Sequence, residues 1–99
     1  MVLEIAFVEV APDKHSDFEK AVKRAVSEVL STAPGFIDFE IHKGIEHSNT
    51  YTFHIHWETL EHHTVGFRES DLFEKWRAII GEYFAKSPIV EHWNIVSGL

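Results

Sequence analysis

Residues 57–93, WETLEHHTVGFRESDLFEKWRAIIGEYFAKSPIVEHW, decide the fold. Within them Leu72, Phe73, Trp76, Ile79, Ile80, Tyr83 and Phe84 recur at helical spacing and make a wide apolar stripe. Ser70 stands where an N-cap hydroxyl is needed to satisfy the first free amides of that helix. Leu60 to Gly66 reads as a short helix or turn, and Pro88 opens a final strand through Val96. Trp57 itself ends a run, Thr50 to Trp57, in which Tyr51, Phe53, Ile55 and Trp57 alternate with Thr52, His54 and His56. Such period-2 alternation marks a half-buried strand.

Moving upstream, Phe36 to Lys43 alternates as well, with Ile37, Phe39 and Ile41 facing one way. The polar stretch Gly44 to Asn49 joins this run to the next as an antiparallel hairpin. From Ser16 onward Phe18, Ala21, Val22, Ala25, Val26, Val29 and Leu30 form a helical stripe. Ser16 and Glu19 have capping-box spacing, with Asp13 as the rival N-cap, and Pro34-Gly35 stops the helix. Val2 to Val10 is a strand rich in β-branched and aromatic residues, ended by Pro12-Asp13. The order is β-α-β-β-α-β, the ferredoxin-like split arrangement of the α+β class: a four-stranded antiparallel sheet in one domain over residues 1–99.

Composition removes several function classes. The formal net charge of −7 disfavours nucleic acid and anionic membrane surfaces, which select Lys/Arg-rich faces. With no cysteine there is no disulfide, thiolate metal site or Cys nucleophile. No apolar run approaches the length of a membrane span, and Val2 enters strand pattern directly, so a cytoplasmic protein is expected. There is no Ser/His/Asp order with supporting context, no phosphate-cradling glycine loop and no dinucleotide fingerprint.

The order Trp57-Glu58, Leu60-Glu61, His63, Ser70, the aromatic helix and Ser87-Pro88-Ile89-Val90-Glu91-His92, with Pro34-Gly35-Phe36 upstream, resembles the antibiotic biosynthesis monooxygenase family. The resemblance covers nearly the whole chain. It implies a homodimer in which two sheets face one another as a dimeric α/β barrel, and a cofactor-free monooxygenase reaction on a small aromatic or quinone-like molecule. The alternative it leaves open is a non-catalytic ligand-binding or structural domain of the same fold. Haem degradation is not implied: the Asn, Trp and His of that branch are replaced by Phe7, Phe67 and Arg77. Leu72 likewise stands where the signalling-molecule isomerase branch has His.

Two constellations carry chemistry. With Leu3, Ile5 and Phe7 directed at the helices, a pocket is expected whose substrate-binding wall is Phe7, Phe53, Trp57, Phe67, Phe73 and Trp76. His63, Arg68, Arg77 and Tyr83 are its rim groups. Among them the candidate catalytic residues are His63 as general base or helix brace, Arg77 as a clamp for an enolate, phenolate or carboxylate, and Tyr83 as a hydroxyl donor or core residue. The same strand parities send Glu4, Asp38, Glu40, His42, His54, His56, His92 and Asn94 to the opposite face. There they read as a hydrated dimer interface, with His54, His56 and Glu40 as the only metal-ligand alternative; no metal and no cofactor are expected.

Overall fold

The computed structural model describes residues 1–98. Its elements are β1 (Val2–Glu9), α1 (His15–Glu28), β2 (Phe36–Lys43), β3 (Thr50–Trp57), α2 (Asp71–Ile80) and β4 (Ile89–Asn94). The strands form one antiparallel sheet in the order β2-β3-β1-β4. Both helices pack on one face of it, which is the expected ferredoxin-like α+β architecture.

β3 has the parity read from its alternation. Tyr51, Phe53, Ile55 and Trp57 are all buried, and they meet Phe18, Val22 and Ala25 from α1 and Trp76 and Ile80 from α2. Tyr51 keeps its hydroxyl satisfied at the core edge by donating to Glu19 Oε2 at 2.6 Å. Two helix starts differ in kind. Ser70 caps α2 as expected, its Oγ accepting from the Leu72 amide at 3.2 Å and donating to the Phe67 carbonyl at 2.7 Å. α1 has no side-chain cap: a 3₁₀ turn over Pro12–Lys14 feeds straight into it, so Ser16 lies inside the helix and neither it nor Asp13 caps.

β1 corrects the expected parity. Glu4, Ala6, Val8 and Val10 lie under the helices and are buried, whereas Leu3, Ile5 and Phe7 point to the open face. Register carries the same correction into β4. Residues directly opposite in an antiparallel pair share a face, and Glu4 pairs with His92 and Val2 with Asn94. His92 and Asn94 therefore belong to the helix side, together with Glu4. β2 carries a bulge between Phe36 and Asp38 that turns Phe36 inward opposite Trp57 and leaves Ile37 outside, 43% exposed. β4 is shorter than the expected Pro88-to-Val96 run.

One turn is fixed by a glycine. Gly35 has φ of 82°, and an ideal Cβ on it would lie 2.2 Å from His62 Cγ. Its carbonyl accepts the Glu58 amide at 2.8 Å, tying the loop before β2 to the end of β3. This closure delivers the chain into the segment that carries His63.

Candidate functional site

The segment between β3 and α2 is a π-helical turn, His62–Phe67. Its wide ring is closed by the Arg68 amide on the His63 carbonyl, 3.0 Å, five residues apart. Extra residues of this kind are rare and occur often at functional sites. Here the widened turn puts His63 and Phe67 inside together and leaves Arg68 at the surface.

His63 is 3% exposed and stacks on Trp57, ring centroids 5.3 Å apart. Its Nδ1 lies 2.8 Å from His92 Nε2 and its Nε2 lies 3.3 Å from Glu4 Oε1. The Trp57 indole donates to the same Glu4 oxygen at 2.9 Å. Three strands and the turn thus converge on one buried acid–imidazole–imidazole row. Burial pushes the Glu4 carboxyl up to about 7, against the opposing pull of the Trp57 hydrogen bond and the Arg68 charge. Burial, then the charges of Arg68 and His92, push the His63 imidazole down to about 3. His92 is lowered by burial and by Arg68. Near neutrality both rings are uncharged, and the ionisable member of the row is the carboxyl.

Above Glu4 lies a cavity of about 230 Å³. Ala6, Val8, Phe53 and Ile55 form its sheet wall, Phe67, Phe73 and Trp76 its aromatic wall, and Pro88 and Val90 its β4 edge. Glu4 and His63 are its polar floor, while Arg68 and Arg77 stand at its mouth. Among the described residues neither arginine is ion-paired to a carboxylate. Arg77 lies over the rings of Phe84 and Phe73, at 5.3 and 5.9 Å, which holds its charge beside the opening. An apolar chamber with a few convergent polar groups and two unpaired cations suits a flat molecule that is, or becomes, an anion.

Of the candidate residues, His63, Arg77, Phe53, Phe67, Phe73 and Trp76 all meet at this cavity. Trp57 stands behind the floor, holding Glu4 and His63. Phe7 is on the opposite sheet face, a consequence of the β1 parity. Tyr83 lies outside the lining, in a 3₁₀ turn after α2 with its ring edge on Phe18 at 6.0 Å. Glu4 and His92 were missed for the same reason that misplaced Phe7. The available signal was that β1 is apolar on both parities, so one carboxylate had to be internal.

On the other face, His56 Nδ1 meets Asp38 Oδ1 at 2.7 Å, His54 Nε2 meets Thr52 Oγ1 at 3.1 Å, and His42 pairs with Glu40. Each imidazole is turned to its own neighbour. Among the described residues no group of three or more His, Asp or Glu side chains is arranged to hold a metal ion.

These observations define a small ferredoxin-like domain with an aromatic cavity over a buried carboxyl. Comparison with known proteins gives its family. The sequence profile of the antibiotic biosynthesis monooxygenase family matches residues 1–79. The uncharacterised protein YczJ of Bacillus subtilis (strain 168) is 33% identical over 96 residues, covering 97% of this chain and all of its own length (100%). A crystal structure from Bordetella bronchiseptica, named for the same family, superposes with a TM-score of 0.91 at 38% identity, covering 97% of each chain. A Streptomyces coelicolor monooxygenase from the gene ActVA-Orf6, in complex with nanaomycin D, shares the fold at a TM-score of 0.84 and 14% identity, over 99% of this chain and 89% of its own. The chain belongs to the antibiotic biosynthesis monooxygenase family.

Proposed function

We propose that the protein is a cofactor-independent monooxygenase for a small aromatic or quinone-like compound, acting as a homodimer in the cytoplasm. The observation that carries the reading is the cavity: aromatic walls, a carboxyl on the floor and two guanidinium groups at the mouth, neither paired to a carboxylate among the described residues. Loss of a proton from a bound hydroxyaromatic or aryl ketone leaves an electron pair spread over the ring. Arg68 and Arg77 stabilise that anion, and the anion reduces dioxygen. In the simplest case a methylene becomes a carbonyl: one oxygen atom enters the product, the other leaves as water, and the substrate supplies all the electrons. The family, and the ligand in the Streptomyces neighbour of the same fold, support a ligand of this class.

Oxygen uptake with anthrone as substrate tests the reading. Wild type is expected to consume oxygen. Arg77→Ala is expected to lower kcat/KM by on the order of tenfold or more, the worth of one charge-assisted contact. Val90→Trp, which fills the cavity from the edge strand, is expected to remove activity while leaving the fold intact. Thermal stabilisation by anthrone without oxygen uptake would favour a ligand-binding domain instead. Neither response would refute both.

The homodimer is supported by the open sheet face. Leu3, Ile5, Phe7, Ile89 and Trp93 share it, and Phe7, Ile89 and Trp93 are 37%, 56% and 51% exposed. Contiguous apolar surface of this kind marks an interaction site. Light scattering is expected to give twice the chain mass of 11.4 kDa, and Phe7→Glu to shift the protein toward one copy. A wild-type monomer at micromolar concentration would end the dimer reading.

A further inference from the structure

We propose that Glu4 is the residue that takes the proton from the bound molecule, and that His63 and His92 are positioning residues that aim its free oxygen into the cavity. The inference rests on the monooxygenase reading and names the base that reading needs.

The two carboxyl oxygens of Glu4 have different surroundings. Oε1 takes the Trp57 indole N–H at 2.9 Å and faces His63 Nε2 at 3.3 Å. Oε2 has no hydrogen-bond partner among the described residues, yet no buried side-chain oxygen is left unsatisfied there, so Oε2 opens onto the cavity that Glu4 lines. The Trp57 donor, with His63 Nε2 facing the same oxygen, makes Oε1 the carbonyl-like oxygen and leaves Oε2 as the atom that gains and loses a proton.

The donor direction is set from outside inward. Trp57 can only donate. For His63 to donate from Nε2, its neutral ring must accept at Nδ1, and His92 Nε2–H is the group that donates there, at 2.8 Å. His92 is half-buried on the edge strand, so its own Nδ1 side is near solvent. The row therefore runs His92 to His63 to Glu4, each ring fixing the tautomer of the next. His63 is a poor proton acceptor in this arrangement, because its Nδ1 is engaged by His92, its Nε2 faces the Glu4 carboxyl rather than the cavity, and burial disfavours its cation. Glu4, held near neutrality, matches the pH at which a base is most effective. The charged and titratable groups facing it are His63 and Arg68 from the turn, His92 from β4 and Arg77 from α2.

The step is balanced. Glu4 Oε2 takes a proton from the acidic C–H or O–H of the substrate, and the electron pair stays on the substrate as an enolate or phenolate. After dioxygen adds at carbon, the same proton returns to the peroxide. The second C–H proton of that carbon is then lost, its electron pair forms the carbonyl as the O–O bond breaks, and the proton leaves with the expelled hydroxide as water.

Anthrone again serves as probe, with two readouts. Under argon in deuterated buffer, wild type is expected to exchange the anthrone methylene protons above the spontaneous rate. Glu4→Gln is expected to reduce that exchange at least a hundredfold, on the order of a general base's contribution, with KM for anthrone changed less than threefold. The wild-type kcat/KM is expected to rise with pH through a midpoint near 7, and His92→Ala to lower kcat about tenfold and shift that midpoint, whereas His92→Gln, which keeps an N–H donor, restores both. Nitrogen-15 spectra should report His63 as the Nε2–H tautomer in wild type and a mixture in His92→Ala. Exchange without oxygen uptake in wild type would uphold the base and sink the monooxygenase reading. Oxygen uptake undiminished in Glu4→Gln, or an Nδ1–H tautomer at His63, would overturn this assignment alone. No exchange and no uptake would overturn both.

Discussion

Trp57→Ala is expected to lower the unfolding free energy by about 3–5 kcal/mol, the usual range for deleting a buried Trp or Phe. Trp57 is fully buried (0% exposed). Its ring is stacked on His63 at 5.3 Å, tilted against Phe67 at 5.5 Å and edge-on to Phe36 at 6.1 Å. Removal opens a void under three elements at once: the bulged start of β2, the π turn and the end of β3. It also strips one donor from Glu4 Oε1, a buried carboxyl oxygen. Since a domain of this size has roughly 5–15 kcal/mol of stability in all, the variant should unfold at much lower urea and lose roughly 12–40 °C in Tm. Trp57→Phe separates the two effects. It keeps most of the packing and removes only the N–H, so about 1–3 kcal/mol is expected. Urea unfolding at fixed protein concentration measures both. A Trp57→Ala protein within 1 kcal/mol of wild type would mean that the ring is not the keystone of this end of the sheet.

Why β3 was legible in the sequence and β1 was not follows from what each strand puts on its two faces. In β3 four large apolar side chains alternate with Thr52, His54 and His56, so only one parity can be internal. In β1 the odd set is Leu3, Ile5, Phe7 and Glu9, and the even set is Val2, Glu4, Ala6 and Val8. Each holds three apolar residues and one carboxylate. Charge alone cannot choose between them, and larger side chains favour the wrong set. What decides is long-range: Trp57 offers Glu4 a donor and His63 a facing imidazole nitrogen that no local pattern reveals, and the small Ala6 leaves room for the cavity. A strand apolar on both faces is itself a signal that the second face will be covered.

The site divides along the same line. Helical periodicity brings Phe73, Trp76 and Arg77 to the cavity, because α2 keeps one phase from its Ser70 cap to Ile80. Beyond Ile80 the chain tightens into a 3₁₀ turn, the phase changes, and Tyr83 leaves the lining although the stripe continues in sequence. Glu4 and His92 are joined by the β1–β4 register and are 88 positions apart, so no short motif records them.

The pH dependence of stability should expose the buried pair Glu4 and His63. Glu4 has its folded value raised from 4.5 to about 7, so its contribution is fully present below pH 4.5 and is lost as pH rises through about 7. His63 has its folded value lowered from 6.5 to about 3, so its contribution is present above pH 6.5 and is lost as pH falls toward about 3. Between pH 4.5 and 6.5 the unfolded chain carries its proton on His63 and the folded chain carries one on Glu4. The proton counts are equal, so in wild type these two residues add no slope in that window. Glu4→Gln removes one side of the balance and leaves the His63 loss unopposed, at about 1.4 kcal/mol per pH unit below 6.5. Other groups titrate alike in both proteins, so the difference between them is the quantity to measure. That difference is expected to move by about 3 kcal/mol in favour of wild type between pH 8 and pH 4.5. Glu4→Gln should thus be the more acid-labile protein, even though it no longer buries an ionisable carboxyl. Urea midpoints at intervals across that range, at one protein concentration and ionic strength, give the answer. Parallel profiles would mean that Glu4 ionises in the folded protein as it does in the unfolded chain, and its buried carboxyl would then have no electrostatic coupling to folding.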